Sequence, residues 1–410
     1  MRVGHGGAHR ISGALLIAVL AFATSGCWWT QQGFGPGRTY ANGSEERLTA
    51  ATIDDAVSQW DGVSLEQAVV AGDTIYAVEG GQVSAYGARS GAVRWRQFLP
   101  STAGPPLLQG GVLHVPSYTV TEACDPTFPA CFNRVSDIGI RRFAASTGAP
   151  MAPVAWPEGS SVPVGPPAAT GRYLVTGRGW VPPRFDPTPV FDSYWAHDLT
   201  GATPDTVFAP ASQADLLPPV VDEVRNQVVV GGSASVEAFA LGCAGCPPRW
   251  TVPVGATALA AIGDAVVLAT GTGEVRMLDA GTGALRGSAL VDFGSASLAV
   301  DTGRLVVRVP QRLWVFGNCA APGCPPAWKS SVQAYGQPVI AGDLVYVNSA
   351  PGPDGPGSVT VDVYRLDGCG QSTCAPVARL PAFAGPAGVV VSDGLLVTQL
   401  DVFGLPAPAG

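Results

Sequence analysis

Apolar positions in this chain come in short runs, each cut off by a small polar turn. The clearest example is AVVAGDTIYAVEGGQVSAYGARSGAVRWRQF, Ala68 to Phe98. One apolar run ends at Gly-Asp, the next at Gly-Gly and the third at Ser-Gly, before a segment containing Trp95. Runs of this length bounded by Gly and Asp predict β-strands joined by tight turns. The unit returns at Ala258 as ALAAIGDAVVLATGTGEVRMLDAGTGALRGSAL. It returns again at Ser297 as SLAVDTGRLVVRVPQRLWVFGNCAAPGCPPAWKSSV. Prolines open other strands, as in GPPLLQGG, GPPAATGR, LPPVVDEV, QPVIAGD and GPAGVVVSDG. Proline is tolerated at the first residue of a strand, where no ladder donor is lost.

Unit starts fall near residues 66, 105, 166, 218, 257, 296, 337 and 386. Their spacing, about 40 to 60 residues, suits four-stranded propeller blades. The expected fold is all-β, an eight-bladed β-propeller, with seven blades as the alternative. The last unit, VVVSDGLLVTQLDVFGLPAPAG, lacks a Trp strand. The segment Glu46 to Trp60, ERLTAATIDDAVSQW, is expected to supply that outer strand and close the ring. Closure removes the open edges that invite wrong pairing.

Composition supports this reading. The chain has 53 Gly and 37 Pro in 410 residues, and only 13% charged residues, about half the globular norm. Gly and Pro are the poorest helix formers, so a mostly helical protein is excluded. The hydrophobic share of 47% excludes a charge-rich disordered chain. Formal net charge is −8, Lys329 is the single lysine, and no basic run occurs. Nucleic-acid binding and a polybasic membrane patch are therefore not expected.

Arg2 and Arg10 precede the apolar stretch ISGALLIAVLAFA, Ile11 to Ala23, and then TSGC. This reads as an export signal over residues 1–26. Its end resembles a bacterial lipobox in which Cys27 takes lipid, with Thr24 where Leu is usual. Residues 27–45 then form a lead-in and 46–410 the propeller. No other stretch is long and apolar enough to span a bilayer as a helix. The chain is expected outside the cytoplasm, lipid-anchored to a membrane, or secreted where the lipobox fails. With Cys27 set aside, eight cysteines form close pairs: Cys124 with Cys131, Cys243 with Cys246, Cys319 with Cys324, Cys369 with Cys374. Local pairs in an exported chain predict disulfides. The last three replace the Ser-Gly or Thr-Gly turn before the fourth strand.

The repeats resemble the pyrroloquinoline-quinone (PQQ) repeat β-propeller family. VSAYGARSGAVRW is similar to its Ala-Leu-Asp-Ala-x-x-Gly-x-x-x-Trp signature. Trp29, Phe34, Arg38, Thr39, Asn42, Glu45, Leu48, Thr49 and Trp60 resemble its lead-in. The resemblance implies that Trp60, Trp95, Trp250 and Trp328 pack between blades. One branch of the family is the quinoprotein dehydrogenases, with PQQ on the axis, Ca²⁺ held by Glu and Asn, an Asp base and an adjacent Cys pair. No adjacent cysteines occur here, and CAGC is followed by Pro247 where covalent haem needs His. The other branch is non-enzymatic and includes the propeller lipoprotein of the outer-membrane β-barrel assembly machinery. The expected function is that of a non-catalytic, monomeric scaffold for protein or cell-envelope glycan, with no cofactor; the alternative is a divergent PQQ-dependent dehydrogenase.

Other chemistry finds little support. His114 and His197 sit in strand patterns, and no Gly-x-Ser-x-Gly elbow occurs. No Asp-x-Asp-x-Asp-Gly calcium loop is present. A glycosidase-like propeller would need two carboxylates facing across the axis. Three insertions, Thr119 to Ser136, Gly177 to Tyr194 and Ser349 to Ser358, are expected as exposed loops. Their aromatics, Phe128, Phe132, Trp180, Phe185, Phe191 and Tyr194, are candidate partner anchors.

Overall fold

A computed structural model describes residues 30–65, 68–99, 102–124, 131–157, 161–182, 190–211, 215–310, 312–317, 319–331, 333–349, 359–382 and 388–406. Side chains of Thr102, Ala123, Cys124, Cys131 and Phe132 are outside that description. Cys27, Phe128 and Phe185 lie outside the described residues altogether.

Eight sheets, antiparallel apart from two short parallel additions, are present among the described residues, and they form an eight-bladed β-propeller. Blades 1 to 7 occupy residues 69–98, 102–154, 161–208, 220–252, 258–290, 297–330 and 334–380. Blade 8 takes three strands from residues 390–404 and its outer strand from Val57–Asp61. That strand pairs with Asp401–Gly404, Val57 opposite Gly404 and Trp60 opposite Val402. The closing segment expected from Glu46 to Trp60 is thus in place.

The core is not one central mass but a series of seams between neighbouring blades. One cluster joins Tyr76, Val83 and Trp95 of blade 1 to Leu113, Val115 and Phe143 of blade 2. Another joins Val229 and Trp250 of blade 4 to Val266, Leu268 and Leu278 of blade 5. Second strands are therefore covered on both faces, and Gln227–Gly231 and Ala265–Ala269 are buried throughout. This is why they read as unbroken apolar runs and not as alternating ones. Fourth strands lie outermost, so Val93–Phe98 buries only Trp95 fully.

The Trp strand and the turn motif lock consecutive blades together. The indoles of Trp60, Trp95, Trp250 and Trp328 donate to the carbonyls of Ala88, Ala145, Ala280 and Leu366 in the following blade. Each ring also covers a turn glycine of that blade: Gly91, Gly148, Gly283 or Gly368. These glycines have φ between 65° and 81°, and a Cβ there would strike the indole. Only glycine meets both demands. Asp279 caps one such turn, accepting from Gly281 N, Thr282 N and Thr282 Oγ1. Hydrogen bonds from Thr282 and Arg286 hold its pKa down, to about 2.

Two of the expected exposed loops continue strands in their described parts, 119–124 with 131–136 and 177–180 with 190–194. The insertion at Thr119 to Ser136 prolongs Val112–Cys124 and Cys131–Ala144 into a ribbon that sets Cys124 opposite Cys131. The insertion at Gly177 to Tyr194 prolongs Tyr173–Trp180 and Val190–Asp198 in blade 3. Ser349 ends a strand and is buried, and 350–358 lie outside the described residues. Disulfides join Cys243 to Cys246, Cys319 to Cys324 and Cys369 to Cys374, all between third and fourth strands.

Candidate functional site

The lead-in is not a spacer outside the ring. It lies on the axis, bonded to the inner strand of blade after blade. Leu108 N donates to Thr30 O at 2.7 Å, and Ala169 N to Gln31 Oε1 at 3.0 Å. Val221 N donates to Pro36 O, Ala261 N to Gly37 O, Val300 N to Thr39 O and Ile340 N to Tyr40 O, all at 2.7–2.9 Å. Asn42 Nδ2 donates to Val391 O at 2.9 Å. A segment bonded to the inner strands of blades 2 to 8 in turn must run inside the ring. Ala41–Asn42 adds a short parallel strand to blade 7.

Arg38 is the hub of this arrangement. Its guanidinium is buried and donates to the carbonyls of Pro166, Pro167 and Pro219, and to Gln32 O. Pro166 and Pro167, at a bulge within the first strand of blade 3 and not at its start as expected, and Pro219, just before that of blade 4, thus present carbonyls to one cation. Burial lowers the Arg38 pKa, while neighbouring Tyr40 works to raise it. Phe34, Arg38 and Tyr40 all have left-handed φ, 73°, 49° and 49°. Such conformations cost about 1–3 kcal/mol each and persist only where surroundings over-determine them. Glu45, also buried, accepts from Arg47 N, Leu48 N and Gly394 N, fastening the lead-in to blade 8.

The ring has two unlike faces. On the turn face lie the turns joining first to second and third to fourth strands. Leu108, Val221, Ala261, Val300 and Ile340 are each the penultimate residue of a first strand, so the lead-in runs just beneath this face. The opposite face carries the blade-to-blade crossings and the ribbons of blades 2 and 3, which touch where Asn133 Nδ2 donates to Pro182 O. We call it the ribbon face.

The candidate anchors divide on this geometry. Trp180 lies at the ribbon face and is 43% exposed. Tyr194 is a correction: it is 0% exposed, its hydroxyl donates to Leu217 O, and burial raises its pKa. Phe191 packs edge-on against Tyr194, with ring centroids 5.2 Å apart, and is partly buried. Both belong to the seam between blades 3 and 4 because the insertion continues a strand and keeps its alternation. Sequence reading missed Phe98, Phe293 and Tyr335, which are exposed on the ribbon face. Phe293 follows the last strand of blade 5, a position an inventory of insertions passes over. Among the described residues, no group of three His, Cys, Asp or Glu side chains could hold a metal ion.

Radial blades, turn glycines under tryptophans and a closing N-terminal strand define a β-propeller similar to the PQQ-repeat family. A family profile described as outer membrane protein assembly factor BamB matches residues 56–170. Among solved structures, the chain is similar to BamB from Moraxella catarrhalis, with 15% identity and a TM-score of 0.57 over 85% of this chain and 99% of that one. It is also similar to the quinohemoprotein alcohol dehydrogenase from Comamonas testosteroni, with 13% identity and a TM-score of 0.62 over 93% and 81%. The computationally designed Ika8 protein gives 13% identity and 0.61 over 85% and 98%. Likeness at these identities shows the fold alone. No curated protein matches the chain in sequence.

Proposed function

We propose that the chain is an extracytoplasmic lipoprotein that acts as a non-catalytic assembly scaffold. In this reading residues 1–26 are the export signal, Cys27 carries lipid, and the propeller presents its ribbon face to a protein partner. The carrying observation is how the axial polar groups are used. A quinone with its cation would draw on an acid and an amide near the axis. Glu45 is occupied by three backbone N–H groups, and Asn42 by Val391 O and Ser44 N. These residues hold the lead-in and do not fit a cofactor cradle. The family description as an outer membrane protein assembly factor supports the scaffold class.

The test is reconstitution. Purified full-length protein is incubated with PQQ and Ca²⁺, then assayed for bound quinone absorbance and for dye reduction with alcohols. The expected outcome is neither. Stoichiometric quinone uptake with turnover overturns the reading in favour of a dehydrogenase.

A further inference from the structure

The two faces expose different chemistry. At the turn face, six blades each leave one aliphatic side chain in solvent: Val57, Val93, Met151, Val224, Leu285 and Val377. At the ribbon face the exposed large side chains are the aromatics Phe98, Trp180, Phe293 and Tyr335 together with the aliphatics Val190, Leu290 and Leu400. Several arginines of the turn face are paired with acids, as in Arg94 with Asp73 and Arg304 with Asp367, while Arg89 and Arg249 donate to backbone carbonyls. That face therefore presents no basic field.

The start of the described chain adds a length constraint. Thr30 is fixed to Leu108, two residues from the Gly110–Gly111 turn of the turn face. Cys27 precedes it by three residues, which reach at most about 11 Å. The ribbon face lies beyond first strands of nine residues in blade 3 and eight in blade 7, about 26 Å deep. A tether of that reach cannot bring lipid on Cys27 round to the ribbon face.

We propose that the turn face lies against the lipid surface in which Cys27 is anchored, leaving the ribbon face for the protein partner. This rests on the lipoprotein reading above. The aliphatic ring settles at headgroup depth, and anchor and ring together supply the two weak contacts that stable membrane residence requires. Electrostatics plays a smaller part, because most arginines of this face are paired with acids.

The test uses the full, lipidated chain in vesicles of phosphatidylcholine and phosphatidylglycerol. Val224→Cys and Phe293→Cys each add one thiol at a position 82% or 80% exposed. Each is labelled with a maleimide fluorophore without reductant, so the disulfides stay intact. Quenching by a headgroup-nitroxide lipid is then compared. The label at position 224 is expected to be quenched several-fold more than that at 293. A flexible Gly-Ser spacer of about 20 residues before Thr30 is expected to shrink that difference. Equal quenching in the chain of natural length, or stronger quenching at 293, overturns the orientation while leaving the anchor intact. A mass spectrum without lipid on Cys27, with the chain free of vesicles, overturns the orientation and the lipoprotein reading together.

Discussion

The junction between blades 4 and 5 and the junction between blades 5 and 6 close the same slot in opposite ways. In the first, Trp250 reaches forward from blade 4, covers Gly283 and donates to Ala280 O at 3.0 Å. In the second, the residue four after the turn glycine is Gly287 where blade 1 has Trp95. A Cβ on Gly287 would strike the Cys319 carbonyl oxygen. The loop closed by Cys319 and Cys324 reaches back from blade 6, and Cys324 N donates to Ser288 O at 2.9 Å. Buried Cys319 packs in the seam of blades 5 and 6. A slot between blades can thus be filled by a side chain from behind or by a stapled backbone from ahead. The junction of blades 6 and 7 uses both, with Trp328 on Gly368 and Thr373–Cys374 paired parallel to Lys329 and Ser330.

The junctions are therefore expected to respond to different insults. Trp250→Ala removes a buried ring and an indole bond, and is expected to cost about 3–5 kcal/mol by urea unfolding. A loss under 1 kcal/mol would mean that the indole is not what closes this slot. The junction of blades 2 and 3 offers a third case, since Ala152 stands four residues after Gly148. Its seam holds Trp156, Trp195 and buried His114. Burial, then the charges of Arg142 and His197, bring the His114 pKa down to about 4. The unfolded chain binds that proton from about pH 6.5. Stability from this group is therefore full above 6.5 and falls as pH drops toward 4, by at most about 3 kcal/mol. His114→Asn is expected to flatten unfolding midpoints measured between pH 4.5 and 7; an unchanged slope would assign the dependence elsewhere. The smallest effect is expected from Cys319→Ser with Cys324→Ser, about 2 kcal/mol. Hydrogen exchange should then quicken at Ser288 and Ala289 and stay unchanged around Trp250; exchange rising equally at both would erase the distinction between the junctions.

Much of this was legible in the chain. Prolines near strand starts and Gly-Asp or Asp-Thr-Gly turns marked all eight blades, because those residues act locally on backbone conformation, although Pro166, Pro167 and Pro338 fall at bulges inside their strands. The missing Trp strand of the last unit pointed to the N-terminal segment, and Val57–Asp61 is there. The anchors were less legible. Tyr194 looked exposed because an insertion reads as a loop, yet its strand continues and turns the ring inward. Phe293 gave no signal, since exposure at a blade crossing depends on how two sheets meet.

The sequence by itself determined the repeat, the turn chemistry and the residues of the lead-in, because each depends on short-range backbone preference or on composition. Only the tertiary structure decided that Arg38 gathers three proline carbonyls from two blades and that Cys324 grips the blade before it. Those contacts join residues far apart in the chain, and their partners are backbone atoms, which carry no residue identity for a sequence to display.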